Sequence, residues 1–180
     1  MKAILHRISN MLDWVSRRIM ITFFAVAFAG TVYQVFSRYV LQSSTLKQWF
    51  PTVNFSQFNL PWTEELVRYL FVWIVFLGIG VVYKLKGHAQ VEIMKNFLPV
   101  RLKRPLSLVV EAVNAVFFTV LLVKGYDMLR ITDGQLSPSL QMSMSWMYLS
   151  ILACSFICLI HALVFFLEGI SPNPGEEKSG

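Results

Sequence analysis

The chain has 180 residues, of which 56% are hydrophobic and only 14% charged, with a mean hydropathy of +0.57. A soluble domain of this size carries about 25% charged residues, so ordinary water-soluble classes are excluded and the bilayer is the expected solvent. The net charge of +6, from 16 Lys and Arg against 10 Asp and Glu, does not point to nucleic acid. The basic residues sit in short clusters beside apolar runs, where they set orientation and meet phospholipid.

In chain order, the leader 1–18 repeats apolar residues at Ile4, Leu5, Ile8, Met11, Leu12 and Val15, with Lys2, Arg7, Asn10, Arg17 and Arg18 between them. That spacing predicts a cationic amphipathic helix in the headgroup plane; a straight extension of the first span is the alternative. A secretory leader cleaved at Ala27-Phe28-Ala29 is opposed by the length of the basic segment and by an apolar run that continues to Ser37. The first span is expected over 19–40, since a crossing helix needs about 20 largely apolar residues. Residues 41–60 carry Trp49, Phe50, Phe55 and Phe58 among polar neighbours, which read either as headgroup anchors or as a docking surface.

The second span is expected over 61–83. It opens with Pro61-Trp62-Thr63-Glu64-Glu65-Leu66-Val67-Arg68, which is helix-start chemistry. Proline suits the first turn, acidic side chains complement the positive end of the helix dipole, and Glu64 to Arg68 is the favourable i,i+4 order. The same charges are candidates for a tie to Arg38 and Tyr39 at the end of span one. Gly78 and Gly80 fall about 200° apart on the helix, so they mark close approach or bending rather than one glycine seam.

Lys84, Lys86, Lys95, Arg101, Lys103 and Arg104 follow span two. With the basic leader they place both termini in the cytoplasm. Val91, Met94, Phe97 and Leu98, stopped by Pro99, form a weaker amphipathic stretch on the same side. Span three is expected over 105–129 and span four over 142–168, followed by a disordered tail at 171–180. The expected fold is therefore an all-α membrane protein, one domain of four transmembrane helices with an N-terminal amphipathic interfacial helix.

Little in the chain suggests catalysis. There is no GxxxxGK[ST] phosphate loop and no HExxH motif. Cys154 and Cys158 share a face of span four and read as small packing residues, and of His6, His88 and His161 only His161 lies inside a span, whereas a haem or metal site wants paired histidines at matched depths. No enzyme activity, cofactor or metal site is expected. Ionisable groups inside a span are the functional candidates, because burying them is costly. Glu111 and His161 both lie about 10 Å from the cytoplasmic boundary, so they can pair, with Asn114 one turn from Glu111. The alternative is a lone Glu111 reaching headgroup water or Arg104.

Taken together, the motifs have a recognisable order. Arg38-Tyr39 closes span one, and Trp62-x-Glu64-Glu65-x-x-Arg68 leads to Trp73 and Gly78. Gly87-His88, Gly134-Gln135-x-Ser137-Pro138 and Trp146-x-Tyr148 follow. Over roughly residues 10–168 the chain resembles the small membrane subunit (Q, DctQ-like) of tripartite ATP-independent periplasmic (TRAP) transporters. It departs from that pattern at the start of span four, where a proline is expected and Gln141-Met142-Ser143-Met144-Ser145 stands instead. The resemblance implies a multi-pass subunit of the bacterial inner membrane. Its implied partners are a large M-type membrane subunit, which holds sodium and substrate sites and moves as an elevator, and a periplasmic substrate-binding protein. The implied substrates are organic acids of the sialic acid or C4-dicarboxylate type, and the small subunit is a scaffold. An anchor subunit of a respiratory or other membrane complex is the alternative function.

Overall fold

The structure is a computed structural model that describes residues 2–43, 48, 60–85 and 100–170. Four helices in it are long and apolar enough to cross a membrane, and the architecture is all-α. The aromatic residues of 49–58, the stretch from Val91 to Pro99 with His88, and the tail lie outside the described residues.

Helix α1 runs from Lys2–Phe36 and closes in a π-helical turn, Ser37–Leu41. Residues 2–18 are not set off from the span. They continue into it as the extension alternative requires, because neither glycine nor proline interrupts the chain before Gly30. Helix α2, Pro61–Lys84, starts at the expected proline, with Leu60 extended before it and Glu64 in its first turn. Helix α3, Val100–Thr132, begins one turn earlier than the sequence predicted, which leaves Pro105 inside the helix. It stops at Gly134, whose φ of +86° is open to glycine at little cost.

Helix α4, Ser145–Ile170, begins three residues later than expected. Residues 135–143 fold into a hairpin in which Ser137 N–H donates to the Met142 carbonyl (2.9 Å) and Met144 N–H to the Gln135 carbonyl (2.9 Å). Gln141 turns the hairpin at a φ of +55°. Ser143 then caps α4, its hydroxyl accepting from Ser145 N–H at 3.2 Å. A capped hairpin thus stands where the family pattern called for proline.

Helix α4 is the central element, packed on α3 and α2, while α1 lies along α2 and meets α4 less extensively. The core is Tyr83, Phe118, Cys154, Cys158 and Ala162, with Phe76 and Phe165 against it. Helices meet closely at glycine. A Cβ on Gly80 would stand 3.0 Å from Ile157 Cγ2, so the Ile157 side chain packs directly on the α2 backbone there. Hydroxyls inside the helices bond carbonyls of the preceding turn, as Thr31 does to Ala27 and Ser155 to Ile151. A hydroxyl with no water beside it needs such a partner.

Candidate functional site

Polar contacts tie the helices at two levels. At the end where α1 begins and α4 finishes, two neighbouring residues of α2 reach in different directions. Tyr83 turns toward α3: its hydroxyl donates to Glu111 Oε2 at 2.6 Å and accepts from Asn114 Nδ2 at 3.2 Å. Its ring stands edge-on to Phe118 with centroids 5.4 Å apart. Lys84 turns toward α1, donating to the Ser9 carbonyl at 3.3 Å and lying 3.4 Å from Asp13 Oδ2. Consecutive helical residues are about 100° apart, so one turn of α2 serves both neighbours.

His161, only 1% exposed, meets the same cluster from α4. Its Nδ1 shares a 2.8 Å hydrogen bond with the buried Ser9 hydroxyl, and its Nε2 is buried with no partner among the described residues. His6 Nε2 and Glu168 Oε1 close the crossing of α1 and α4 at 2.7 Å. The expected Glu111–His161 pair is therefore not formed. Each finds a partner on another helix, because their similar depth left their directions around the bundle axis open. Asn114 does lie beside Glu111, both bonded to Tyr83.

At the opposite end, Glu65 extends from α2 to the hairpin between α3 and α4. Its Oε2 accepts from Ser139 N–H at 2.9 Å and Leu140 N–H at 2.8 Å. Trp73 Nε1 donates to the Trp146 carbonyl at 3.1 Å, and its ring meets Phe23 of α1 edge-on at 6.3 Å. Trp62, Glu64 and Arg68 are exposed. No ion pair joins Glu64 to Arg68, or either of them to Arg38, among the described residues. Arg38 and Tyr39 are exposed in the π turn. Among the described residues, the charged side chain of this motif that bonds another element is Glu65, and it bonds the hairpin rather than Arg38 or Tyr39 of span one.

Sequence reasoning missed Ser9, Asp13, Tyr83 and Lys84. Their signal was Ser9, Asp13 and Ser16 recurring on the face of Leu5 and Leu12, a polar-apolar mixture typical of a packed face rather than a lipid-facing one. No group of three His, Cys, Asp or Glu that could hold a metal occurs among the described residues. Cys154 and Cys158 are free thiols with sulfurs 3.9 Å apart. The arrangement fastens helices to one another.

Residues 27–171 match the family described as tripartite ATP-independent periplasmic transporters, DctQ component. The chain belongs to this DctQ family. The matched region holds the Glu65 tie, Tyr83, Lys84, Glu111 and His161, whereas Ser9 and Asp13 precede it. The chain is also 32% identical over 110 residues to the isethionate TRAP transporter permease protein DctMQ of Oleidesulfovibrio alaskensis. That stretch covers 60% of this chain but 17% of the relative, so the DctQ chain corresponds to a minor part of that longer protein.

Proposed function

We propose that this DctQ chain is the immobile small subunit of a sodium-coupled TRAP transporter for small organic anions. It sits in the bacterial inner membrane with both termini cytoplasmic. A large M-type subunit binds and moves the substrate, a periplasmic binding protein delivers it, and this chain braces the moving part without catalysing a reaction. The carboxylates implied by the family resemblance and the isethionate in the relative's name are both organic anions. That relative's name also joins M and Q in one protein.

The observation that carries this reading is one face of α3. Val109, Val113, Val116, Val120 and Val123 recur at intervals of four and three residues, and each is more than half exposed. Ala112 and Thr119, also exposed, flank them on one side and the exposed Phe117 on the other, so small side chains border one edge of the seam. Valine in a helix is held largely to one rotamer, so packing another helix here costs little side-chain entropy, and the backbones can come close. Helix α1 instead presents Phe24, Phe28, Phe36 and Tyr39, bulky groups suited to lipid. The ties at both ends of the bundle suit a rigid brace.

Co-expression with the M-type subunit tests the reading. Val116→Trp and Val120→Trp are expected to abolish co-purification and uptake, while Phe24→Trp leaves both intact. Solute uptake into vesicles by this chain alone would overturn the proposal.

A further inference from the structure

One face of α1 is left over by these ties. Arg7, Met11, Trp14, Arg18, Ile21, Ala25 and Phe28 recur every three or four residues, and all are exposed. They share one side of the helix, while Ser9, Asp13 and Ser16 occupy the packed side. The cations here are not equivalent. Arg17 lies 3.2 Å from Asp13 and Lys84 lies 3.4 Å from the same carboxylate. Arg18 has no acidic partner among the described residues. Its guanidinium stands 5.3 Å over the Trp14 ring, a cation–π contact that leaves its charge without a carboxylate to neutralise it.

The depth of Arg18 is equally specific. It is the last charged residue before the uncharged run 19–37, so it stands where hydrocarbon gives way to headgroups. From there Ile21, Ala25 and Phe28 form an apolar track along the span, with Ala25 as a notch between two larger side chains. A cation without a protein counter-charge, beside an indole N–H and at the foot of an acyl-sized track, fits one kind of occupant.

We propose that Arg18 and Trp14 bind the phosphate of an anionic glycerophospholipid in the leaflet on the N-terminal side, with one acyl chain lying along Ile21, Ala25 and Phe28. A net negative headgroup is selected over a zwitterionic one because Arg18 has no carboxylate beside it among the described residues and Arg7 adds a second exposed cation on the same face. The only carboxylate on this stretch, Asp13, is already shared between Arg17 and Lys84.

The test uses the full chain, in the assembly from which it purifies, placed in nanodiscs and examined by native mass spectrometry. Phosphatidylglycerol and phosphatidylcholine with identical acyl chains are compared. Retained phosphatidylglycerol is expected to exceed retained phosphatidylcholine, and Arg18→Gln is expected to weaken it about fivefold, the factor for one basic residue at a membrane surface. Arg17→Gln removes the same charge one residue away and is expected to change retention less than about twofold, because Arg17 is already occupied by Asp13. Arg18→Lys, which keeps the charge but loses the planar fork, is expected to fall between. Unchanged melting temperatures show that these exposed substitutions leave the fold intact, and excess inorganic phosphate is expected not to displace the lipid. Equal losses from Arg17→Gln and Arg18→Gln, or no preference for phosphatidylglycerol, would overturn the proposal. So would an Arg18→Gln protein that loses a protein partner rather than lipid.

Discussion

The bond from Tyr83 to Glu111 is the sharpest point at which the tie between α2 and α3 can be tested. Tyr83→Phe removes one oxygen and leaves the ring against Phe118 and Phe165. Glu111 then loses a 2.6 Å donor and Asn114 an acceptor. A hydrogen bond to a charged group is worth about 1.5–3 kcal/mol in water-soluble proteins, but side-chain bonds between membrane helices average about 0.6 and reach about 1.7. With two bonds lost at a half-buried site, the expected cost is about 1–2 kcal/mol, or about 2–8 °C in melting temperature for a chain of this size. The assay is a double-mutant cycle read by thermal unfolding in detergent. Tyr83→Phe with Glu111→Gln is expected to show a coupling of about 1 kcal/mol, and Glu111→Gln with His161→Ala to be additive. Additivity of the first pair within about 0.5 kcal/mol, or coupling in the second, would refute the assignment of partners.

Glu65→Ala is expected to expose the Ser139 and Leu140 N–H groups and cost about 1–2 kcal/mol, seen as faster hydrogen exchange across residues 137–142; Glu65→Gln, which keeps an acceptor, should lose less. Gly80→Val is expected to force α2 from Ile157 and cost about 1–3 kcal/mol, with Ile157→Ala restoring part of the loss in the same melting assay. Asp13→Ala leaves Lys84 and Arg17 without their shared carboxylate and is expected to cost about 1–3 kcal/mol. His6→Ala, at the more exposed pair with Glu168, should cost no more than about 1 kcal/mol by the same measurement.

The four crossings were legible because crossing the bilayer demands a minimum apolar length, which interruption by charge makes visible in one dimension. The start of α2 was legible to the residue, since Pro61 and Glu64 act locally through a missing N–H and the helix dipole. The boundary after Arg18 was not, because an amphipathic pattern looks the same whether its apolar side meets headgroups or other helices. In the fold the leader divides: Leu5 and Leu12 sit on the packed side, and Ile4, Ile8 and Met11 face outward. The start of α4 was displaced by a hairpin that needs Glu65, a residue more than seventy positions away.

Residue order by itself determined how many times this chain can cross the bilayer, roughly where, and which polar groups lie at similar depth. Only the tertiary structure decided which of them meet. Depth follows from counting residues along an axis, but a partner also depends on each helix's rotation and tilt. Those are set by close approaches such as Gly80 on Ile157, and through them Glu111 came to face Tyr83 and His161 to face Ser9.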